Sequence, residues 1–147
     1  MPILRSEDRE VVYLLLHNKL PTKERLFRIG MHNDPYCQFC VNAVVSDTEH
    51  FFCSCDRVAD VWDWVRRKLT NMVGNLYSDW DLLNFMWSKC SYDKEAVWLL
   101  GSYIWKIWFK NSPRPINKEE MFGYLTFKFK ADQLGARHKL SSILALD

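Results

Sequence analysis

Cys37, Cys40, His50 and Cys55 stand in the order C-x2-C-x9-H-x4-C, and no other feature of this 147-residue chain constrains its folding as strongly. Zn(II) in a structural role takes four tetrahedral nitrogen and sulfur ligands, and a C-x2-C turn offers two thiolates to one ion. His50 and Cys55 would complete the tetrahedron and leave no position open for a reacting water. The expectation is therefore a closed, structural zinc site. The competing reading of the same residues is a set of buried free thiols and an unrelated histidine, because free cysteine is among the most buried residue types.

Cys53 lies three residues after His50 and would face the same ion if Thr48 to Cys53 were helical. Cys55 is taken as the fourth ligand, with Cys53 as its rival. Cys90, between Lys89 and Ser91, has no partner at ligand spacing and reads as a partly buried thiol. Five cysteines leave an odd count for disulfides, and Met1 to Asp8 carries no hydrophobic signal segment. Both features argue for a nuclear or cytoplasmic, reducing interior rather than secretion.

The chain is long enough for a core without help from a metal, and reads as one domain, 1–147. Seven Trp, nine Phe and six Tyr should fill that core, each buried ring removing on the order of 150–250 Å² from water. No apolar run approaches the roughly 20 residues of a membrane span. The formal charge of +2 does not announce a nucleic-acid binder, so local clusters must carry that case.

Helical signals run the length of the chain. Ser6, Glu7 and Asp8 resemble an N-cap and acidic first turn ahead of Val11, Val12, Leu15 and Leu16, predicting a helix to Asn18. Pro21 and Thr22 start a short basic helix that stops at Gly30. Residues 32–45 read as a loop carrying the first ligand pair. Ser46 and Glu49 form an S-x-x-E capping box before His50, and Asp56 caps the helix that follows. There Val58, Val61, Trp62, Val65 and Leu69 form one apolar stripe up to Gly74. Ser78 with Asp81 caps a further helix. The stretch from Asp93 to Asn111, apolar on nearly every face, predicts a central buried one.

Leu125, Phe127 and Phe129 alternate with polar residues as a strand would. Asn117 and Glu120 supply a cap, however, and Phe122, Leu125, Phe129, Ala136 and Leu140 fit a 3.6-residue stripe, so the reading is helix. The predicted fold is all-α: an irregular bundle of about seven helices with one zinc knuckle. The knuckle spans 37–55, the helical core 56–112 and a basic C-terminal helix 117–140.

With the ligands placed, the chain resembles the zinc-binding domain that lies downstream of the reverse transcriptase in non-LTR (LINE-type) retrotransposon polyproteins. Leu20-Pro21-Thr22-Lys23-Glu24-Arg25-Leu26 is similar to the family's Pro-x-Lys lead-in, and Cys37-Gln38-Phe39-Cys40 to its first knuckle. Glu49-His50-Phe51-Phe52-Cys53-Ser54-Cys55 resembles its Glu-His-x-Phe-x-x-Cys signature, which places the fourth ligand at Cys55. Val58, Ala59, Val61 and Trp62 follow as in its Ala-x-x-Val-Trp. Ile104-Trp105-Lys106 and Asn111 look like its Ile-Trp-Lys helix. The resemblance covers about Leu20 to Asn111, and the loop between Cys40 and His50 is slightly long for the family.

Polymerase activity does not follow from this resemblance. The sequence contains no Tyr-x-Asp-Asp motif and no endonuclease domain, and the expectation is an excised fragment or a shortened, host-adopted derivative. Nor is there an H-E-x-x-H, a phosphate loop or a G-x-S-x-G elbow. The resemblance implies a non-catalytic accessory module, partnered by RNA or DNA and by the rest of a polyprotein or a host protein.

Candidate phosphate contacts are Lys23, Arg25 and Arg28 in the second helix and Arg66, Arg67 and Lys68 in the stripe helix. Lys110, Arg114, Lys128, Lys130, Arg137 and Lys139 make up a C-terminal group. From Lys110 to Lys139 seven Lys or Arg face three acids, and such clusters give salt-dependent, sequence-blind affinity. The plainer reading of each cluster is a solvated helix face. Tyr36 and Phe39 flank the knuckle, where they would stack on unpaired bases or cover the metal. A second function class is a protein-interaction module, suggested by Trp64, about 100° from the centre of its helix stripe.

Overall fold

A computed structural model describes residues 4–74, 77–84, 94–110 and 114–131, with the side chain of Lys110 left aside. The described elements are helical: α1 (Ser6–Leu16), α2 (Lys23–Arg28), a π-helical turn (His50–Ser54), α3 (Ala59–Val73), α4 (Asp79–Asn84), α5 (Lys94–Lys110) and α6 (Lys118–Ala131). Among the described residues β pairing is confined to one isolated antiparallel bridge, Tyr36 to Val45.

The central position of α5 follows from its composition. A helix apolar all round must be covered on every side, and α1, α3, α6 and the π-turn all pack on it. Ala96, Trp98, Leu99, Leu100, Tyr103, Ile104 and Ile107 are fully buried as a result. Gly101 lets the chain ahead of α1 come in closely, since a Cβ there would meet Leu4 Cδ2 at 2.7 Å.

The predicted stripe of α3 is buried along its length, from Val58 through Val61, Trp62 and Val65 to Leu69. Trp62 meets the ring of Tyr103 at 5.3 Å between centroids. Trp64 is also fully buried, its ring edge-on to Phe122 of α6 at 6.5 Å. The docking role suggested for Trp64 is therefore corrected, because its ring is inside the fold. Leu125 and Phe129 of α6 are buried while Phe127 is exposed, as the helical period requires. Ala136 and Leu140 lie outside the described residues, as do Cys90 and Asn111.

Several caps differ from expectation. At α1 the chain enters through Arg5, whose backbone N–H donates to the Asp8 carboxylate at 3.3 Å. The helix stops at Leu16, and Asn18 takes a left-handed φ of 53°, which asparagine tolerates. Thr22 caps α2 by accepting from Arg25 N–H at 3.3 Å. Ser78 and Asn117 likewise cap α4 and α6, accepting from Asp81 N–H at 3.1 Å and Glu120 N–H at 2.8 Å.

The Ser46 capping box does not form. The backbone of Ser46 is engaged on both sides, donating to Pro35 O and accepting from Glu24 N–H. Asp47 caps instead, its carboxylate accepting from His50 N–H at 2.8 Å. Asp56 does not cap α3 either. The carbonyl of Cys55 accepts from both Val58 and Ala59 N–H, at 2.8 and 2.9 Å, and the helix starts from that turn.

Candidate metal centre

Three local devices bring the four motif residues together. Backbone bonds from Cys37 N–H to Val44 O (2.7 Å) and from Ser46 N–H to Pro35 O (2.9 Å) close the knuckle loop at its base. Within the loop the C-x2-C turn places Phe39 N–H 3.4 Å from Cys37 Sγ. The third device is the π-turn. In an α-helix two residues five apart point about 140° away from each other. Here Cys55 N–H donates to His50 O at 2.8 Å, an i→i+5 closure that widens the turn and returns Cys55 to the side of His50. π-Turns recur at functional sites, and the sequence carries no signal for one.

The donor atoms of Cys37, Cys40, His50 and Cys55 all lie within 4.8 Å of one another. Cys37 Sγ and Cys55 Sγ are 3.7 Å apart, Cys40 Sγ and Cys55 Sγ 3.9 Å, and Cys40 Sγ and His50 Nε2 3.5 Å. A tetrahedron with Zn–S of about 2.3 Å and Zn–N of about 2.0 Å has sulfur–sulfur edges near 3.8 Å and a sulfur–nitrogen edge near 3.5 Å. The cluster thus has the size and donor set of a structural zinc site. Cys53, the rival fourth ligand, is buried but outside this cluster.

The electrostatics describe a site shaped for a cation. Burial, together with the neighbouring Cys55 and Cys37 sulfurs, pushes the Cys40 thiol up to about 12, although the Asp56 N–H opposes the shift. The Cys40 thiol therefore resists becoming a thiolate until a dication offsets its charge. Burial also lowers His50 below the usual imidazole range, which keeps it neutral with a lone pair for a metal. Asp56 N–H, 3.5 Å from Cys40 Sγ, and Phe39 N–H, beside Cys37, supply the backbone donors that thiolate ligands require. Cys53 is raised as well, first by burial and then by Asp79 and Glu49.

Arg57, which sequence reasoning passed over, sits against this centre. It is 4% exposed, with its guanidinium 4.3 Å from the ring centroid of Phe39 and 5.3 Å from that of Phe51. A zinc with three thiolates and a neutral imidazole carries a net charge of −1, and Arg57 is a buried cation of opposite sign beside it. The run Cys-Asp-Arg gave no periodic or motif signal for this packing.

The basic residues proposed as phosphate contacts are mostly engaged within the fold. Lys128 is buried and ion-paired with Asp8, and Arg66 pairs with Asp79 while donating to Tyr77 O at 2.9 Å. Lys68 is buried, with its ammonium 5.7 Å from the ring of Trp64. Lys68 and Lys128 are thus sunk into the packing, which corrects the expectation of solvent-facing cations at these two positions, whereas Arg66 and its partner Asp79 stay part-exposed. Lys23 reaches Asp34 at 3.1 Å, Arg28 pairs with Glu24, Arg67 with Asp63 and Arg114 with Glu120. Arg25 donates to Asn18 O at 2.9 Å. Lys130 is exposed. The Lys110 side chain, Arg137 and Lys139 lie outside the described residues.

The model of a protein family described as zinc-binding in reverse transcriptase matches residues 9–62. The match runs from within α1 to the start of α3 and takes in all four residues of the cluster. Over that stretch the chain is similar to a domain named for its zinc, and the cluster supports Zn(II) as its structural cofactor. The Ile104-Trp105-Lys106 resemblance falls outside the match. No curated protein and no solved structure matches the chain. Among the described residues no helix is long and apolar enough to cross a membrane.

Proposed function

We propose that the protein is a non-catalytic, zinc-stapled accessory domain of the kind that accompanies retrotransposon reverse transcriptases, and that it binds RNA or DNA. The observation that carries this reading is the coincidence of the family match at residues 9–62 with the four-donor cluster. Cys37, Cys40, His50 and Cys55 would hold the ion. A zinc bound there supplies a four-way crosslink between the knuckle loop, the π-turn and the entry to α3. With four protein donors it keeps no site for water, which argues against hydrolytic chemistry at the metal. The reading places the protein in the nucleus or cytoplasm, where thiols stay reduced.

The test is fluorescence anisotropy of the zinc-loaded protein with single-stranded RNA, single-stranded DNA and duplex DNA across a salt series. Binding to any of the three supports the reading, and their ranking separates template from target recognition. No binding to any probe at low salt would remove it.

A second reading, a protein-interaction module, is favoured by one observation. Phe27, Ile29, Met31, Tyr36, Val41 and Val45 are all exposed around the end of α2 and the knuckle, Val41 at 96%. Exposed apolar residues gathered in one stretch are what a partner surface requires. In that case the nucleic-acid probes give no signal, and the protein's own partner contacts depend on these residues.

A further inference from the structure

Between the start of α2 and the zinc knuckle lies an open cleft of about 260 Å³. Phe39, Phe51 and Trp108 contribute aromatic rings to its lining, and Arg57 and Lys23 contribute cations. We propose that this cleft seats one unpaired nucleobase of a single-stranded nucleic acid, so that the domain holds its strand by ring stacking rather than through a phosphate-binding face. The proposal deepens the nucleic-acid reading above and rests on it.

Charge argues against the alternative of a phosphate face. Lys23, Arg28, Arg66, Arg67, Arg114 and Lys128 each have a carboxylate partner within the fold. The whole chain carries only +2. Releasing counterions from a strand requires cations that are not already neutralised. Stacking has no such requirement, because every base presents a π-face to an aromatic or guanidinium plane.

Size and position argue for a single base. The cleft falls just under the roughly 300–1,000 Å³ of ordinary small-molecule sites, so it admits one ring system, whereas a base pair is held inside its duplex. The guanidinium of Arg57 already lies against the rings of Phe39 and Phe51, which restrains both rings before a base arrives. Cys37 and Cys55 also line the cleft, so a metal that pins them stiffens one wall. Gln38 and His32 stand exposed at the rim, in position to meet base edges.

The experiment uses the full zinc-loaded chain with fluorescein-labelled ten-nucleotide uridine and adenosine RNAs, the matching single-stranded DNAs and a duplex DNA. Single strands should bind well ahead of duplex, and log affinity should fall with log salt by only about one, the equivalent of one or two phosphates. Phe39→Leu should lose on the order of tenfold for single strands with zinc content unchanged, and Phe39→Tyr should recover it. Duplex binding as tight as single-strand binding, or no effect of Phe39→Leu, would overturn the cleft and leave the nucleic-acid reading standing. No binding of the unsubstituted chain to any probe would remove both. Should Phe39→Leu lose its zinc, photo-crosslinking of the unsubstituted protein to 4-thiouridine RNA decides the matter. Crosslinks at Phe39, Phe51 or Trp108 support the cleft, and crosslinks confined to other peptides overturn it.

Discussion

Asp8 in α1 and Lys128 in α6 form a buried ion pair across 120 residues of sequence, with side chains only 1% and 5% exposed. The pair ties the first helix to the last, and Asp8 also receives the Arg5 N–H that opens α1. One carboxylate therefore sets both a helix start and a tertiary contact. Lys128 counts among the cations by composition but not among those the surface presents.

Lys128→Met should destabilise the protein by about 3–5 kcal/mol, because it strands a buried carboxylate. Replacing both partners, Asp8→Leu with Lys128→Met, should cost less than either single change. Urea denaturation of the four proteins as a double-mutant cycle measures this, and additive costs would show that the two charges do not interact.

Metal content should depend on Cys37, Cys40, His50 and Cys55 and on neither Cys53 nor Cys90. We expect Cys40→Ser, Cys55→Ser and His50→Ala to lose bound zinc. Cys53→Ser should keep one zinc per chain while costing about 1–3 kcal/mol for a hydroxyl placed at a buried site. Elemental analysis after dialysis gives the stoichiometries, and zinc lost with Cys53→Ser but retained with Cys55→Ser would reverse the ligand assignment.

Chelation should undo the knuckle before the helices. Cys37 and Cys55 are the two metal-site residues in the buried core, which is otherwise filled largely by Trp62, Trp64, Trp98, Tyr103 and aliphatic side chains of α3 and α5, so far-ultraviolet circular dichroism should fall little. Hydrogen exchange should accelerate at the Cys37, Ser46 and Cys55 amides, whose bonds close the loop and the π-turn. A global loss of helix on chelation would mean that the core depends on zinc.

Tyr103 is fully buried, its hydroxyl donating to Phe52 O at 2.6 Å, and burial raises its phenol well above the ordinary value of 10. A raised folded-state value gives stability that is complete below the unfolded value and is lost as pH climbs toward the folded one. Stability should accordingly fall above about pH 10. In spectrophotometric titration one tyrosine should ionise only as the fold is lost, and Tyr103→Phe should remove that step. The same substitution leaves the Phe52 carbonyl without its donor, at about 1–3 kcal/mol.

Helices were legible wherever a single stripe governs burial, as in α3, where the residues at i, i+3, i+4 and i+7 are those that sink into the core. The metal cluster was legible because thiolate and imidazole spacing is a local signal. What escaped is non-local or depends on backbone detail. The caps at Asp47 and Cys55 depend on what else binds Ser46 and on the π-turn, and the place of Arg57 depends on two rings from different segments meeting over it.

By itself, then, the sequence determined an all-helical chain with an aromatic core and one zinc-type donor set, since periodicity and ligand chemistry are written in neighbouring residues. Tertiary structure decided how Cys55, already preferred over Cys53, reaches the cluster, through a turn five residues wide. It also decided which cations remain available to a ligand. A lysine's charge is fixed by its chemistry, but its exposure depends on whether a carboxylate more than a hundred residues away folds back to meet it.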